Sequence, residues 1–369
     1  MYKQMSDNRI KVGITQGDTN GIGWEVIIKT LADNRMTELC TPVIYGSPKV
    51  ASFYKSRMTD VDGFAYNAIR SASQARRGKI NLIDSGPADI EITPGVASEA
   101  AGKAAVAALR AAVTDLKAGD IDVLVTAPIN KESVQSESFH YTGHTEFLAD
   151  ELSGEPMMIM CSELLRVGLV TIHIPLADVS RSLSEEKIVA SLQRLRHTLK
   201  SDFGVVEPRI AVLALNPHAG DGGLLGNEEQ LIIRPAIEKA FAEGILAFGP
   251  FPADGFFASG SFSRYDAILA MYHDQGLAPF KTLTPDGVNF TAALSKIRTS
   301  PDHGVAYDIA GKDMADPQSM REAIYAAIDI YWNRHRWEEM NANPLRHYER
   351  EKGRDISVQD LPEEPQETL

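Results

Sequence analysis

Cysteine is nearly absent from this 369-residue chain: there are two, Cys40 and Cys161, each at the end of an apolar run. So few thiols argue against a disulfide framework and for buried, reduced side chains, so the expected compartment is the cytosol. Long apolar runs are lacking too. No stretch approaches the roughly 20 residues that span a bilayer, and the opening MYKQMSDNR lacks the apolar core of a secretory signal. The expectation is a protein that neither enters a membrane nor is exported. Positive charge is in deficit, with 37 Lys and Arg against 50 Asp and Glu and a formal net charge of -13. That balance excludes a general nucleic-acid binder, whose affinity rests on neutralising phosphates. A local basic pocket for one small phosphate remains compatible. Short motifs with a built-in mechanism are also missing: no HExxH ligand pair, no GxGxxG dinucleotide fingerprint and no P-loop GK[ST].

What is present reads as an α/β protein with a large core, at 44% hydrophobic residues and 24% charged. RIKVGIT (9–15) reads as a buried strand, QGDTNGIG as a tight turn and WEVIIKTLAD as a helix. TPVIYGS is the next strand, and the basic stretch from Arg70 to Lys79 reads as an exposed excursion. Alanines at helical spacing from Ser98 to Leu116 predict a closely packed helix. IDVLVTAP, EPMMIMCS, LRVGLVTIHIPL, RIAVLAL, DAILAMY and VNFTAAL are further strand candidates. Helices are expected at 185–199, in GNEEQLIIRPAIEKAFAEG with Pro235 near its first turn or at a kink, and from Met320 to Tyr331. The end of the chain, 346–369, is charged and apolar-poor and reads as a loosely ordered tail after a catalytic unit of 1–345.

The stretch from Asp254 to His303 concentrates polar groups around apolar runs. AILAMYHDQG ends at His273, Asp274 and a Gly276 read as flexible; Lys281, Asn289 and Arg298 follow as three groups suited to an anion. His173, His218 and His273 share one context, each directly after an apolar strand-like run. Three neutral imidazoles leave open positions on a divalent metal, as catalytic sites require, although a strand-capping role explains any one of them alone. In YTGHTEFLADEL, Thr145 is expected to cap a helix with Phe147, Leu148 and Leu152 facing inward, and His144 and Thr145 then lie where a helix start favours anions. Asp254, Asp274 and Lys131 are candidates for acid–base work, with turn bonding and ordinary surface charge as the competing explanations.

Taken in order, ITQGDTNGIG, VTAPINK, GHTEFLA, HIPLADV, LNPHAGDGGLLGNEE, GPFPADGFF, MYHDQGLAPFK and IRTSPDHG resemble the successive signatures of the PdxA family, the 4-hydroxythreonine-4-phosphate dehydrogenases of vitamin B6 biosynthesis. The resemblance spans Ile10 to the long helix after Asp316. It implies an isocitrate/isopropylmalate-dehydrogenase-like three-layer α/β/α fold of two interleaved subdomains, with the active site in the cleft, and a homodimer. It also implies NAD- or NADP-linked oxidation and decarboxylation assisted by a divalent cation (Zn, Mg or Co) on His173, His218 and His273. Substrate contacts are implied for His144, Thr145, Lys281, Asn289 and Arg298, while cofactor-binding residues stay unassigned. Gln16, Thr19, Asn20 and Trp24 depart from the family's usual proline- and alanine-rich first loop. Related enzymes act on D-erythronate or D-threonate 4-phosphate, the first alternative; a non-redox phosphate-binding or acyl-transfer protein on the same fold is the second.

Overall fold

The computed structural model describes residues 9–87, 89–136, 139–141 and 143–344, so the expected tail at 346–369 lies outside the described residues. Its frame is one continuous sheet. The first part of the chain supplies β1 (Lys11–Thr15), β2 (Thr41–Gly46), β3 (Tyr66–Ile69), β4 (Ile80–Asp84) and β5 (Val123–Thr126). The middle supplies β6 (Gly154–Cys161), β7 (Arg166–Leu169), β8 (Arg209–Leu213), β9 (Leu246–Phe251) and β10 (Ala267–Ala270). Last come β11 (Val288–Leu294) and β12 (Ile297–Pro301). Their order across the sheet is β3-β4-β2-β1-β5-β12-β11-β6-β7-β10-β8-β9.

The strands from β3 to β12 in that order are parallel, as are those from β7 to β9. Between these two ends, β11 and β6 pair antiparallel with each other and with β12 and β7. The late hairpin β11–β12 therefore fills the middle of the sheet and joins the halves built by the earlier chain.

Both faces are covered, and the strand period of two sorts the residues between them. Val123, Val125, Met157, Ile159, Ile210, Val212, Phe290 and Ile297 face one core, shared with the helices Gly23–Ala32, Glu185–Ser201, Arg234–Ala242 and Gln318–Asn341. Their neighbours Leu124, Met158, Ala211 and Ile268 face the other side, where the core is split in two. One part packs under the helix Glu99–Ala118 and the start of Phe147-Leu148; the other packs under Phe256, Leu277 and Phe280. Burying each such large side chain contributes about 1.5–3 kcal/mol. The gap between the two parts lies over β5, β12, β11 and β6, where alternation brings Thr126, Arg298, Asn289 and Met158 to that face.

Most strands and helices stand where periodicity expects them. Pro235 sits in the first turn of Arg234–Ala242, just after a π-helical turn at Glu229–Ile233. The tight turn at 17–23 is also as read: Gln16, Asp18, Thr19 and Asn20 are buried, and a Cβ on Gly17 (φ 68°) would press on Pro128 O. Gln16 Oε1 accepts from Trp24 Nε1, and Asn20 Nδ2 donates to Val96 O and Ser98 Oγ, so Gln16 and Trp24 satisfy each other and Asn20 ties the loop to the 93–98 segment. Both thiols are buried, and burial pushes each up to about 12, so neither is reactive.

Two expectations need correction. LRVGLVTIHIPL is strand only to Leu169. Strands β3, β4, β9 and β12 carry no sequence expectation, being short or mixed in polarity. Gly276 is not a flexible break: it lies buried inside the helix His273–Leu283, where an added Cβ would meet Val167 and Leu169 of β7 at 2.8 and 2.9 Å. Glycine is there for close packing of helix on sheet.

Candidate active site

The gap in the helix layer forms a cleft of about 280 Å³. Its floor is the exposed face of the central strands: Thr126 of β5, Arg298 and Ser300 of β12, Asn289 of β11 and Met158 of β6. Register explains the grouping, because β11 and β12 place Thr291 opposite Arg298 and Asn289 opposite Ser300. One wall is the helix His144–Glu151, entered at its N-terminus through Gly143, His144, Thr145 and Glu146. The opposite wall is His273–Leu283, which presents His273, Leu277 and Lys281 at a spacing of four residues, one stripe of a helix. His173, Lys131 and the turn Asp302-His303-Gly304 close the rim.

Arg298 is 2% exposed, a cation taken out of water. Its Nε and Nη2 donate to Thr126 Oγ1 at 3.1 and 2.6 Å, and Nη1 to Thr291 Oγ1 at 3.0 Å. Both partners are uncharged, and burial lowers its pKa to about 9, which still leaves it charged at neutral pH. Two of a guanidinium's five N–H donors remain beyond those three bonds. Lys281 Nζ is ion-paired with Asp302 Oδ1 at 2.9 Å and donates to Asp302 O at 3.2 Å, so the lysine is steered over the cleft by a carboxylate that burial pushes upward.

Three further lining groups have buried atoms without any hydrogen-bond partner: His144 Nε2, Asn289 Oδ1 and His303 Nε2. Buried polar atoms are seldom left in that state, since an unmade bond costs about 1–3 kcal/mol. Converging on one cavity, they mark a place where a polar ligand completes the bonding. Burial also drives the pKa of His144 well below the ordinary histidine value and lowers that of His303.

The three histidines follow β7, β8 and β10, which are adjacent and parallel in the order β7-β10-β8, so His173, His273 and His218 issue from one edge of the sheet. Those strand ends are stitched together: Thr171 Oγ1 donates to Met271 O at 2.7 Å, and Gln275 takes a bond from Met271 N and gives one to Ala214 O. The rings of His173 and His273 are 5.8 Å apart. His273 Nδ1 meets Asp274 Oδ1 at 2.7 Å, the carboxylate–histidine arrangement that leaves Nε2 for a metal. His218 opens a left-handed turn (φ 54°) whose base is held by Glu229, which accepts from Leu215 N and Asn216 N. Among the described residues no three His, Cys, Asp or Glu side chains are gathered at ligating distance. The donor set nevertheless suits a divalent cation chemically.

Of the residues singled out in the sequence, Lys131, His144, Thr145, His173, His273, Lys281, Asn289 and Arg298 line the cleft; His218, Asp254 and Asp274 do not. Asp254 is exposed in the first turn of Ala253–Ala258, and Asp274 acts on His273. Thr145 does not cap its helix: the helix starts at His144 after Gly143, with Thr145 inside the first turn. Glu146, Asp302, His303 and Thr126 were missed. For Thr126 the available signal was the alternation in VLVT, which puts it on the same face as Leu124.

The family model described as pyridoxal phosphate biosynthetic protein PdxA matches residues 38–327. The chain belongs to the PdxA family. A 4-hydroxythreonine-4-phosphate dehydrogenase from Bacteroides thetaiotaomicron is 48% identical over 93% of this chain and 94% of its own. An Oceanobacillus iheyensis relative, 39% identical over 86% of this chain and 97% of its own, has a name that refers to D-threonate 4-phosphate dehydrogenase. The crystal structure of a 4-hydroxythreonine-4-phosphate dehydrogenase from Klebsiella pneumoniae superposes with a TM-score of 0.76 at 35% identity, covering 88% of this chain and 98% of that one. This PdxA-family chain is thus a dehydrogenase of pyridoxal phosphate biosynthesis, and its three-layer sheet is the isocitrate/isopropylmalate-dehydrogenase-like fold the motifs implied.

Proposed function

We propose that the protein oxidises 4-phosphohydroxy-L-threonine with NAD or NADP and decarboxylates the product to 3-amino-2-oxopropyl phosphate. The observation that supports this most is the buried Arg298 together with the unpartnered atoms of His144, Asn289 and His303 in one cleft. Arg298 and Lys281 hold the phosphate, one as a fork and one as a point charge. Asn289, turned to present its amide N–H, and Thr145 complete the cradle, and the N-terminus of His144–Glu151 favours the same anionic charge. Fixing the phosphate orients the carbon that loses hydride.

His173, His218 and His273 are the residues that would hold a divalent cation, Zn, Mg or Co. When bound, that cation and the nicotinamide supply electrophilic stabilisation of charge on oxygen and a hydride acceptor. Lys131 at the rim is the acid–base candidate that lines the cleft; Asp274 orients His273, and Asp254 faces solvent. We further read the chain as a cytoplasmic homodimer with residues 1–345 as one catalytic unit of two subdomains. No described helix is long and apolar enough to cross a membrane.

The second reading is a D-threonate or D-erythronate 4-phosphate substrate, and the Oceanobacillus relative's name favours the D-threonate form. Both substrates bring a phosphate to the same cations, so the test is a panel of the three phosphates with NAD and NADP in the presence of each metal. NADH formation and carbon dioxide release with 4-phosphohydroxy-L-threonine are expected. A signal confined to the sugar-acid phosphates would move the assignment to the second reading.

A further inference from the structure

His303 belongs to neither the phosphate cradle nor the histidine edge, yet it lines the cleft between them. Its turn is rigidly placed. Asp302 N lies within bonding distance of both Ser319 Oγ and Gly287 O, and Ser319 Oγ itself donates to Gly287 O. Further on, Tyr307 donates to the buried Asp18 at 2.8 Å, and Ile22 N donates to Val305 O. The imidazole is therefore presented by backbone tied to Gly287 just before β11, to the helix Gln318–Asn341 and to the first loop.

The geometry also settles what this imidazole offers. Nδ1 lies 3.1 Å from Gly304 O, and a carbonyl oxygen only accepts, so Nδ1 carries the proton. Burial keeps the ring neutral. The other nitrogen, Nε2, is then a bare acceptor, buried and without a partner. Around it the cleft is rich in donors: Arg298, Lys281 and Lys131 serve the anionic ends of a ligand. Glu146, on the His144–Glu151 wall and 3.6 Å from His173 Nδ1, offers a carboxylate to an ammonium group. The one donor of a phosphorylated hydroxy amino acid left for a neutral acceptor is its hydroxyl.

We propose that His303 Nε2 accepts the hydrogen bond of the substrate's C3 hydroxyl and is the residue by which the cleft distinguishes an alcohol from its deoxy analogue. This rests on the substrate reading above. A site built to bond a hydroxyl rejects the ligand lacking it, because the buried acceptor is then left unpaired. Nothing in the short-range sequence around SPDHG signals this, since the acceptor character depends on a backbone contact and on burial.

The test is calorimetric titration of the full-length, metal-loaded protein with 4-phosphohydroxy-L-threonine and with O-phospho-L-homoserine, the same molecule without the C3 hydroxyl. Wild type is expected to prefer the hydroxylated ligand by about tenfold or more. In His303→Ala that preference is expected to fall by about tenfold, with the affinity for O-phospho-L-homoserine retained. His303→Leu fills the space without an acceptor; it should behave likewise and carries the test if the alanine variant does not fold. A preference that survives in the folded variants overturns the proposal, as does an equal loss for both ligands. Equal affinities in wild type overturn it while leaving the substrate reading intact. If wild type binds neither ester, the substrate reading itself fails and takes this assignment with it.

Discussion

Arg298 of β12 and Thr126 of β5 are joined across neighbouring parallel strands by two N–H donors on one hydroxyl, at 2.6 and 3.1 Å. A cation taken out of water is thereby held in the floor of the cleft by hydroxyl oxygens, with the Glu146 carboxylate as the charge that favours it. Arg298→Met should therefore separate stability from binding. Removing a buried charge whose hydrogen-bond partners are only hydroxyls leaves the melting temperature of the ligand-free protein equal or higher. The KM for the phosphorylated substrate should rise about 10- to 150-fold, the equivalent of about 1.5–3 kcal/mol for a hydrogen bond to a charged group. A lowered melting temperature with unchanged KM would make Arg298 a structural residue.

The histidine edge is testable by metal content. After equilibration with Zn, Mg or Co and removal of excess, His218→Ala should retain less metal than wild type with unchanged circular dichroism. Asp274→Asn keeps every proposed ligand but weakens the orientation of His273, and about 10- to 100-fold weaker metal affinity is expected. Metal bound by the His218 variant at the wild-type level would count against the three-histidine site.

The pH dependence of stability has a definite sign. His144 and His303 are neutral in the fold, with pKa values below the usual one because burial penalises the imidazolium. Between the lowered folded value and the ordinary unfolded value near 6.5, the unfolded chain binds more protons. Their contribution to stability is thus complete above about pH 6.5 and is lost as pH falls below it. Denaturant titrations at pH 7.5 and 5.5 should show wild type losing more stability on acidification than His144→Gln. Parallel losses would mean that His144 does not titrate as its burial demands.

Gly276→Ala tests the packing of the helix His273–Leu283 on β7. A Cβ at 2.8 Å from Val167 and 2.9 Å from Leu169 overfills the contact, and a loss of about 1–3 kcal/mol is expected in equilibrium unfolding. A stabilised variant, as the glycine-to-alanine change gives in open helices, would restore the reading of Gly276 as a flexible break.

Much of the site was legible because chemistry left marks on short segments. Three histidines each closing an apolar run could be read singly, and motif order supplied the family. Asp302 and His303 were not legible: their roles come from Lys281 one helix away and from the carbonyl of Gly304, contacts with no sequence period. Asp254 looked as chemical as Asp274, yet the fold leaves one in solvent and sets the other on His273.

Sequence alone determined the α/β class, most strands and helices, the family and eight of the cleft-lining side chains, since alternation, helical spacing and motif order are local properties. The tertiary structure decided that β11 and β12 enter the middle of the sheet, and that the helix layer opens above them. It also decided which polar atoms were left without partners there. Those outcomes depend on pairing between segments more than a hundred residues apart, such as Arg298 with Thr126, and no local pattern encodes which distant strand becomes a neighbour.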